Sequence, residues 1–228
     1  LFRSPAHDLT LSSGISAVTR HVTLGHAPLI LPERRSVYWN TGLNHRWYLP
    51  DFTFQYQVQY KHSLNRFGAL PVTEKKLKPT RQLMAETTVT VPFRLAGQPF
   101  YYEGVMRGFI NADKADEMDY ESLSGRYSVR GYPFSHSMSA ARAFISRNEV
   151  VWQQVLPGHN LYLAADAGLP GAKISGGARS HSLAGTEIGM KGFYKSLSYQ
   201  VFAGLPLKEA ERVRAFSPAG GFSVSVSY

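Results

Sequence analysis

Long and short connections alternate strictly along this chain, and the segments between them alternate apolar with polar residues. In residues 52–61, Phe52, Phe54, Tyr56, Val58 and Tyr60 share one face. Thr53, Gln55, Gln57, Gln59 and Lys61 share the other. Period-two patterning of this kind predicts a β-strand with one apolar and one polar face. The last residues repeat it, with Phe222, Val224, Val226 and Tyr228 against Ser223, Ser225 and Ser227. Ten segments of this kind are read, at 8–24, 35–49, 52–63, 81–95, 98–112, 142–156, 159–168, 182–193, 196–206 and 220–228. Four connections are tight, at Pro50-Asp51, Ala96-Gly97, Pro157-Gly158 and Tyr194-Lys195. Five are long, at 25–34, 64–80, 113–141, 169–181 and 207–219.

An up-and-down meander whose two ends differ in loop length has the form of an outer-membrane barrel, with short periplasmic turns and longer outer loops. Strand length agrees, because a tilted spanning strand needs about 9–11 residues. Aromatics gather near strand ends, at Trp39, Trp47, Tyr48, Tyr101, Tyr102, Trp152 and Tyr194, where interfacial girdles belong. The face opposite the apolar one carries Arg46, Glu86, Arg94, Glu103, Arg107, Arg147, Glu149, Asp166, Glu187 and Lys191. A hydrated lumen accommodates such charges and lets opposite signs pair. A soluble antiparallel sandwich would place them in bulk water, but it does not predict the alternation of connections. The expected fold is therefore all-β, an antiparallel up-and-down transmembrane β-barrel. An open ten-stranded sheet leaves two edges unsatisfied in a bilayer. Together with the abrupt opening LFRSPAHD, this leads us to expect a C-terminal portion with further strands upstream.

Other classes find little support. The chain has no cysteine, which removes disulfides and thiolate metal sites and suits an envelope protein. The eight histidines show neither H-x-H nor H-E-x-x-H spacing, so no metal site is expected. The glycine-rich stretch 171–177 lacks the frame of a phosphate-binding loop, and 177–182 reads as a mobile outer loop. A net charge of +9 admits an anionic partner, but the basic residues are spread over lumen positions and loops. No RNA-binding motif accompanies them, so nucleic acid is not expected. No catalytic constellation is found, and we expect neither enzymatic activity nor a cofactor.

The 113–141 connection shows neither strand nor helix periodicity, and loops of that length are usually functional or disordered. It contains Arg126, Val129, Arg130, Gly131 and Tyr132. Val129-Arg130-Gly131-Tyr132, then Ser137 to Arg142, then Ile145-Ser146-Arg147-Asn148-Glu149-Val150 resemble the haemolysin-activator type outer-membrane transporters of two-partner secretion (the TpsB family). The strand Leu161 to Gly168 and the tail, with Ala203-Gly204-Leu205-Pro206-Leu207 and Tyr228, carry the same resemblance. It implies a sixteen-stranded barrel preceded by two POTRA domains. The ten strands here would be its last ten, with the POTRA domains and first strands absent. The long sixth outer loop would fold back into the lumen, its Arg130 meeting Asp166 on the inner wall of the second strand after it. Our phase count independently turns Asp166 inward, since Leu161, Leu163 and Ala165 fall on the apolar face. Arg147, Glu149, Glu103, Arg107 and Glu187 would be lumen charges. Phe222 and Tyr228 would form the C-terminal signal for assembly. Ala141, Ala143 and the Lys208-Glu209-Ala210 run depart from the family's usual pattern.

The function implied is an outer-membrane pore that secretes a large cognate exoprotein (TpsA type). Its other partners would be outer-membrane lipids, lipopolysaccharide and, during biogenesis, the barrel-assembly machinery. Three alternatives remain open: a BamA-type assembly factor, a passive porin and a soluble β-sandwich binding module.

Overall fold

The computed structural model describes residues 2–4, 6–20, 23–24, 27–28, 34–64, 66–67, 69, 80–112, 120–133, 138–171, 182–208 and 218–227. Ten long strands are numbered here in chain order: β1 His7–Arg20, β2 Arg34–Tyr48, β3 Thr53–Leu64, β4 Arg81–Leu95, β5 Gln98–Asn111, β6 Arg142–Leu156, β7 His159–Pro170, β8 Leu183–Tyr194, β9 Leu197–Pro206 and β10 Ala219–Val226. Each pairs antiparallel with its neighbours in sequence, in one sheet. A short strand, Phe2–Arg3, folds back on β1 and makes the sheet eleven-stranded. Among the described residues β1 and β10 do not pair with each other, so the sheet has two edges.

The expected strands and the meander are present, with local differences. The first strand ends at Arg20, and Thr23–Leu24 instead pairs with Ala27–Pro28 in a separate ribbon. The last tight turn falls one residue later than expected, at Lys195-Ser196, with Lys195 at φ 54°. Ala96 and Gly97 both have positive φ, 49° and 78°, the requirement of a two-residue hairpin turn matched to strand twist. A register shift between Trp152 and Leu156 interrupts the pairing of β6 with β7. There Gln154 has φ 54°, and its N–H donates to Asn160 Oδ1 at 2.9 Å. Two equally spaced faces alone do not reveal such a bulge.

The two faces differ as their residues dictate. On β7, Tyr162, Ala164 and Asp166 are 1%, 1% and 4% exposed, while Leu163 between them is 59% exposed. The outer face presents Leu11, Ile15, Leu163, Ile188, Val201 and Phe222. An apolar face of this extent is an aggregation liability in water and is satisfied in lipid. Between neighbouring strands the backbone groups are hydrogen-bonded along the ladder, which suits the same solvent. Aromatics pack on this face near the short turns. Trp47 stacks on Phe54 with centroids 5.6 Å apart. Phe100 stacks on Phe93 at 5.5 Å and on Trp152 at 5.8 Å.

The inner face is covered in part by residues 120–133. Glu121–Ser122 pairs with Ser139–Ala140, and Ser124 bridges Val129. The connection that lacks periodicity in the sequence thus has a folded centre. Leu123 and Val129 are fully buried, in a cluster with Phe109, Ile145, Leu183 and Tyr132. These side chains come from the loop and from β5, β6 and β8, so apolar packing as well as charge holds the loop to the wall.

Candidate functional site: a loop anchored on the inner wall

β7 presents Asp166 to the inner face because alternation turns every second residue of the strand that way. Arg130 meets it in a fork. Its Nε donates to Asp166 Oδ2 at 2.7 Å and its Nη2 to Oδ1 at 2.9 Å. The Arg130 backbone N–H adds a third bond to Oδ2 at 3.0 Å. The N–H of Asn148 on β6 donates to Oδ1 at 3.2 Å. The two side chains are 4% and 0% exposed, so the carboxylate is satisfied from the loop and the wall together.

The guanidinium has further work. Nη1 donates to Glu149 Oε2 at 2.5 Å, and Nη2 reaches the Asn148 carbonyl at 3.3 Å. Glu149 Oε1 in turn accepts from Lys191 Nζ on β8 at 2.7 Å. Burial alone would weaken the Arg130 cation. The hydrogen bonds and charge of Asp166, then those of Glu149, more than offset it and hold its pKa above the ordinary arginine value.

A second tether lies four residues earlier. Arg126 Nη1 donates to Glu187 Oε1 at 2.6 Å, and its guanidinium sits 3.9 Å over the Phe202 ring. The same Glu187 oxygen accepts from Tyr162 at 2.8 Å, and Gln200 Nε2 donates to the Tyr162 hydroxyl at 3.1 Å. Between the tethers, Arg147 Nη2 donates to the Arg126 carbonyl at 3.4 Å, while its Nε lies 4.0 Å from Asp166 Oδ2. That Nε is buried without a hydrogen-bond partner.

Glycines let the loop come this close. Gly131 has φ 91°, a left-handed conformation costly for any residue with a side chain. A Cβ there would strike the Leu205 carbonyl. On the wall, Gly185 lies opposite Asp166, and a Cβ on it would strike the Arg130 carbonyl. Gly204 completes the seat, since its Cβ would lie 3.0 Å from Gly131 Cα.

Tyr132 closes the motif. Its hydroxyl donates to the carbonyl of Lys208 at 2.6 Å, with that of Ala184 at 3.1 Å as the alternative acceptor, and accepts from the Ala184 N–H at 3.2 Å. Burial pushes the phenol's pKa up, partly offset by the Ala184 bond. Replacing Tyr132 with Phe removes these part-buried bonds, at a cost of about 1 kcal/mol. We expect the loop of Tyr132→Phe to be cut by protease at lower urea than the parent's, with the sheet's circular dichroism unchanged.

The other sequence-named residues are placed as follows. Arg107 pairs with Glu86 at 2.5 Å. Glu103 lies opposite Glu149 on the inner face and has no ion pair among the described residues. Phe222 is exposed on the outer face of β10. Tyr228 lies outside the described residues. Sequence reading missed the Arg126–Glu187 pairing, the burial of Leu123 and the glycine seat. Only the seat left a signal, in glycines at inner-face positions 185 and 204. Among the described residues, no group of three or more histidines or carboxylates could hold a metal ion.

An antiparallel up-and-down sheet with an apolar outer face, a charged inner face and a loop ion-paired onto that inner face is the wall of an outer-membrane β-barrel. The model of the haemolysin secretion/activation protein family ShlB/FhaC/HecB matches residues 1–192. The chain belongs to that family, and its location is the outer membrane. It is 23% identical over 195 residues to the outer membrane transporter CdiB-2 of Burkholderia pseudomallei (strain 1026b), covering 82% of this chain and 33% of that protein. Its fold is similar to CdiB from Acinetobacter baumannii, with a TM-score of 0.85 at 22% identity, covering 100% of this chain and 40% of that one. It is also similar to CdiB from Escherichia coli, with a TM-score of 0.80 at 21% identity, covering 98% and 42%. The chain thus spans about a third of the length of the curated relative.

Proposed function

We propose that this chain is the C-terminal part of a protein-conducting pore that secretes a large cognate exoprotein by two-partner secretion. In this reading its ten long strands are the last ten of a sixteen-stranded barrel, and POTRA domains and further strands belong to the rest of the protein. The 113–141 loop occupies the lumen and is held there by Arg130 and Asp166. The buried fork between those two side chains carries the reading, because it anchors a loop where a pore would have to be clear. No reaction is assigned to the site. Transport would draw on folding of the exoprotein outside the cell, while lipids, lipopolysaccharide and the barrel-assembly machinery act on the barrel itself.

The test is secretion by cells carrying the full-length protein. Arg130→Ala should lower export of the exoprotein while the barrel still shifts in electrophoretic mobility on boiling. Normal export by that variant would remove the assigned role. Loss of other outer-membrane proteins, rather than of one exoprotein, would favour an assembly factor. Conductance with no exoprotein dependence would favour a porin.

A further inference from the structure

The inner face is not uniform. From β4 to β8 it is charged, and most of those charges are spent on the loop or on one another. Across the middle of β2 and β3 it is lined by side-chain amides, between Arg46 at one end and Lys61 at the other. Gln55, Gln57 and Gln59 project from one face of β3, and Asn44 on β2 stands directly opposite Gln57. Gln55 accepts from Arg46, but Asn44, Gln57 and Gln59 make no side-chain hydrogen bond to another described residue. Gly42, opposite Gln59, keeps the wall low beside them.

We propose that this amide row is the track along which the exported polypeptide slides in an extended conformation. The inference rests on the secretion reading above and adds where the chain runs and what holds it. Successive glutamines of a strand recur every two residues, about 6.8 Å, which is also the two-residue repeat of an extended chain. Each amide offers both donors and an acceptor, so the row can bond to backbone N–H and C=O of any sequence. Peptide groups of an unfolded chain are the one feature every segment of an exoprotein shares. Bonds of this kind exchange readily with water and hold no segment for long. A charged row would instead retain segments of opposite charge, and an apolar row would retain apolar ones. On the charged strands Arg126 and Arg130 of the loop already occupy Glu187, Glu149 and Asp166.

Cross-linking in the full-length protein tests this. These 228 residues hold no cysteine, so in a full-length protein cleared of any cysteine elsewhere Gln57→Cys supplies a single thiol. A photoactivatable reagent on that thiol should capture a stalled exoprotein at least ten-fold more often than the same reagent at Glu103→Cys, on the charged wall. Gln57→Lys and Gln57→Asp should each slow export several-fold, with the barrel's heat-dependent mobility unchanged. Equal capture at both positions, or capture at Glu103 alone, would overturn the track while leaving secretion intact. Capture at Gln57 of another segment of the same protein would also overturn it. Failure of the parent protein to export any exoprotein would instead reject the secretion reading.

Discussion

Asp166→Ala is expected to release the loop. The substitution removes the fork and the two backbone bonds from Arg130 and Asn148, leaving Arg130 buried with only Glu149 and the Asn148 carbonyl. Removing one member of a buried ion pair typically costs 3–5 kcal/mol, because the remaining charge is left uncompensated. Glu149 is shared with Lys191 and offsets part of that, so about 3 kcal/mol is the expected size. Each 1.4 kcal/mol is tenfold in population, so the undocked loop should become roughly a hundred times more populated. Trypsin cleavage within residues 126–130 of the full-length protein should accelerate by a similar factor, since cleavage of a fast-opening segment tracks its open population. The sheet should stay folded, because only one strand N–H, that of Asn148, uses the Asp166 side chain. An unchanged cleavage rate would show that the apolar cluster around Leu123 and Val129 holds the loop by itself.

Gly185→Val should undock the loop while leaving the strand more comfortable. Valine is favoured over glycine in strands, so β8 gains local propensity. Its Cβ, however, would occupy the position of the Arg130 carbonyl, a backbone atom that no rotamer can clear. Overpacking against rigid structure costs about 1–3 kcal/mol, and here it also displaces the Arg130–Asp166 fork. The combined result should match or exceed that of Asp166→Ala in loop cleavage. Circular dichroism should show β-structure equal to the parent's. A docked loop in Gly185→Val, or loss of the sheet, would contradict the seat described here.

Gly131→Ala tests the same contact from the loop side. It forces a side chain onto a residue at φ 91°, a conformation that costs about 1–3 kcal/mol, and drives its Cβ against the Leu205 carbonyl. Release of the loop in both variants, with the sheet intact in both, would locate the close approach between residues 130–131 and the β8–β9 wall.

How much of this was legible in the sequence follows from how local each feature is. Strands such as Thr53–Leu64 and Ala219–Val226 are written in the alternation of neighbouring residues, and so is the inward turn of Asp166. The meander is written in the lengths of the connections. What alternation cannot carry is register across strands. Glu187 meets Arg126 because β7, β8 and β9 bring Ala164, Glu187 and Gly204 level, a three-strand relationship with no local trace. Leu123 is a single leucine in a polar stretch, and only the folded loop shows that it is fully buried. The bulge at Gln154 fails for a related reason: its backbone conformation answers to Asn160 across the turn, not to its own neighbours. The pairing of Arg130 with Asp166 entered through family resemblance, since a lone loop arginine is otherwise most often solvated.

A double-mutant cycle in secretion tests the central claim most directly. Export of the exoprotein would be measured for the full-length parent, Arg130→Ala, Asp166→Ala and the double variant, each at equal barrel content. Two residues that act as one anchor are strongly non-additive, so the double variant should export no less than the worse single variant. Independent, multiplying losses, or normal export by either single variant, would contradict an anchored loop as the working part of the pore.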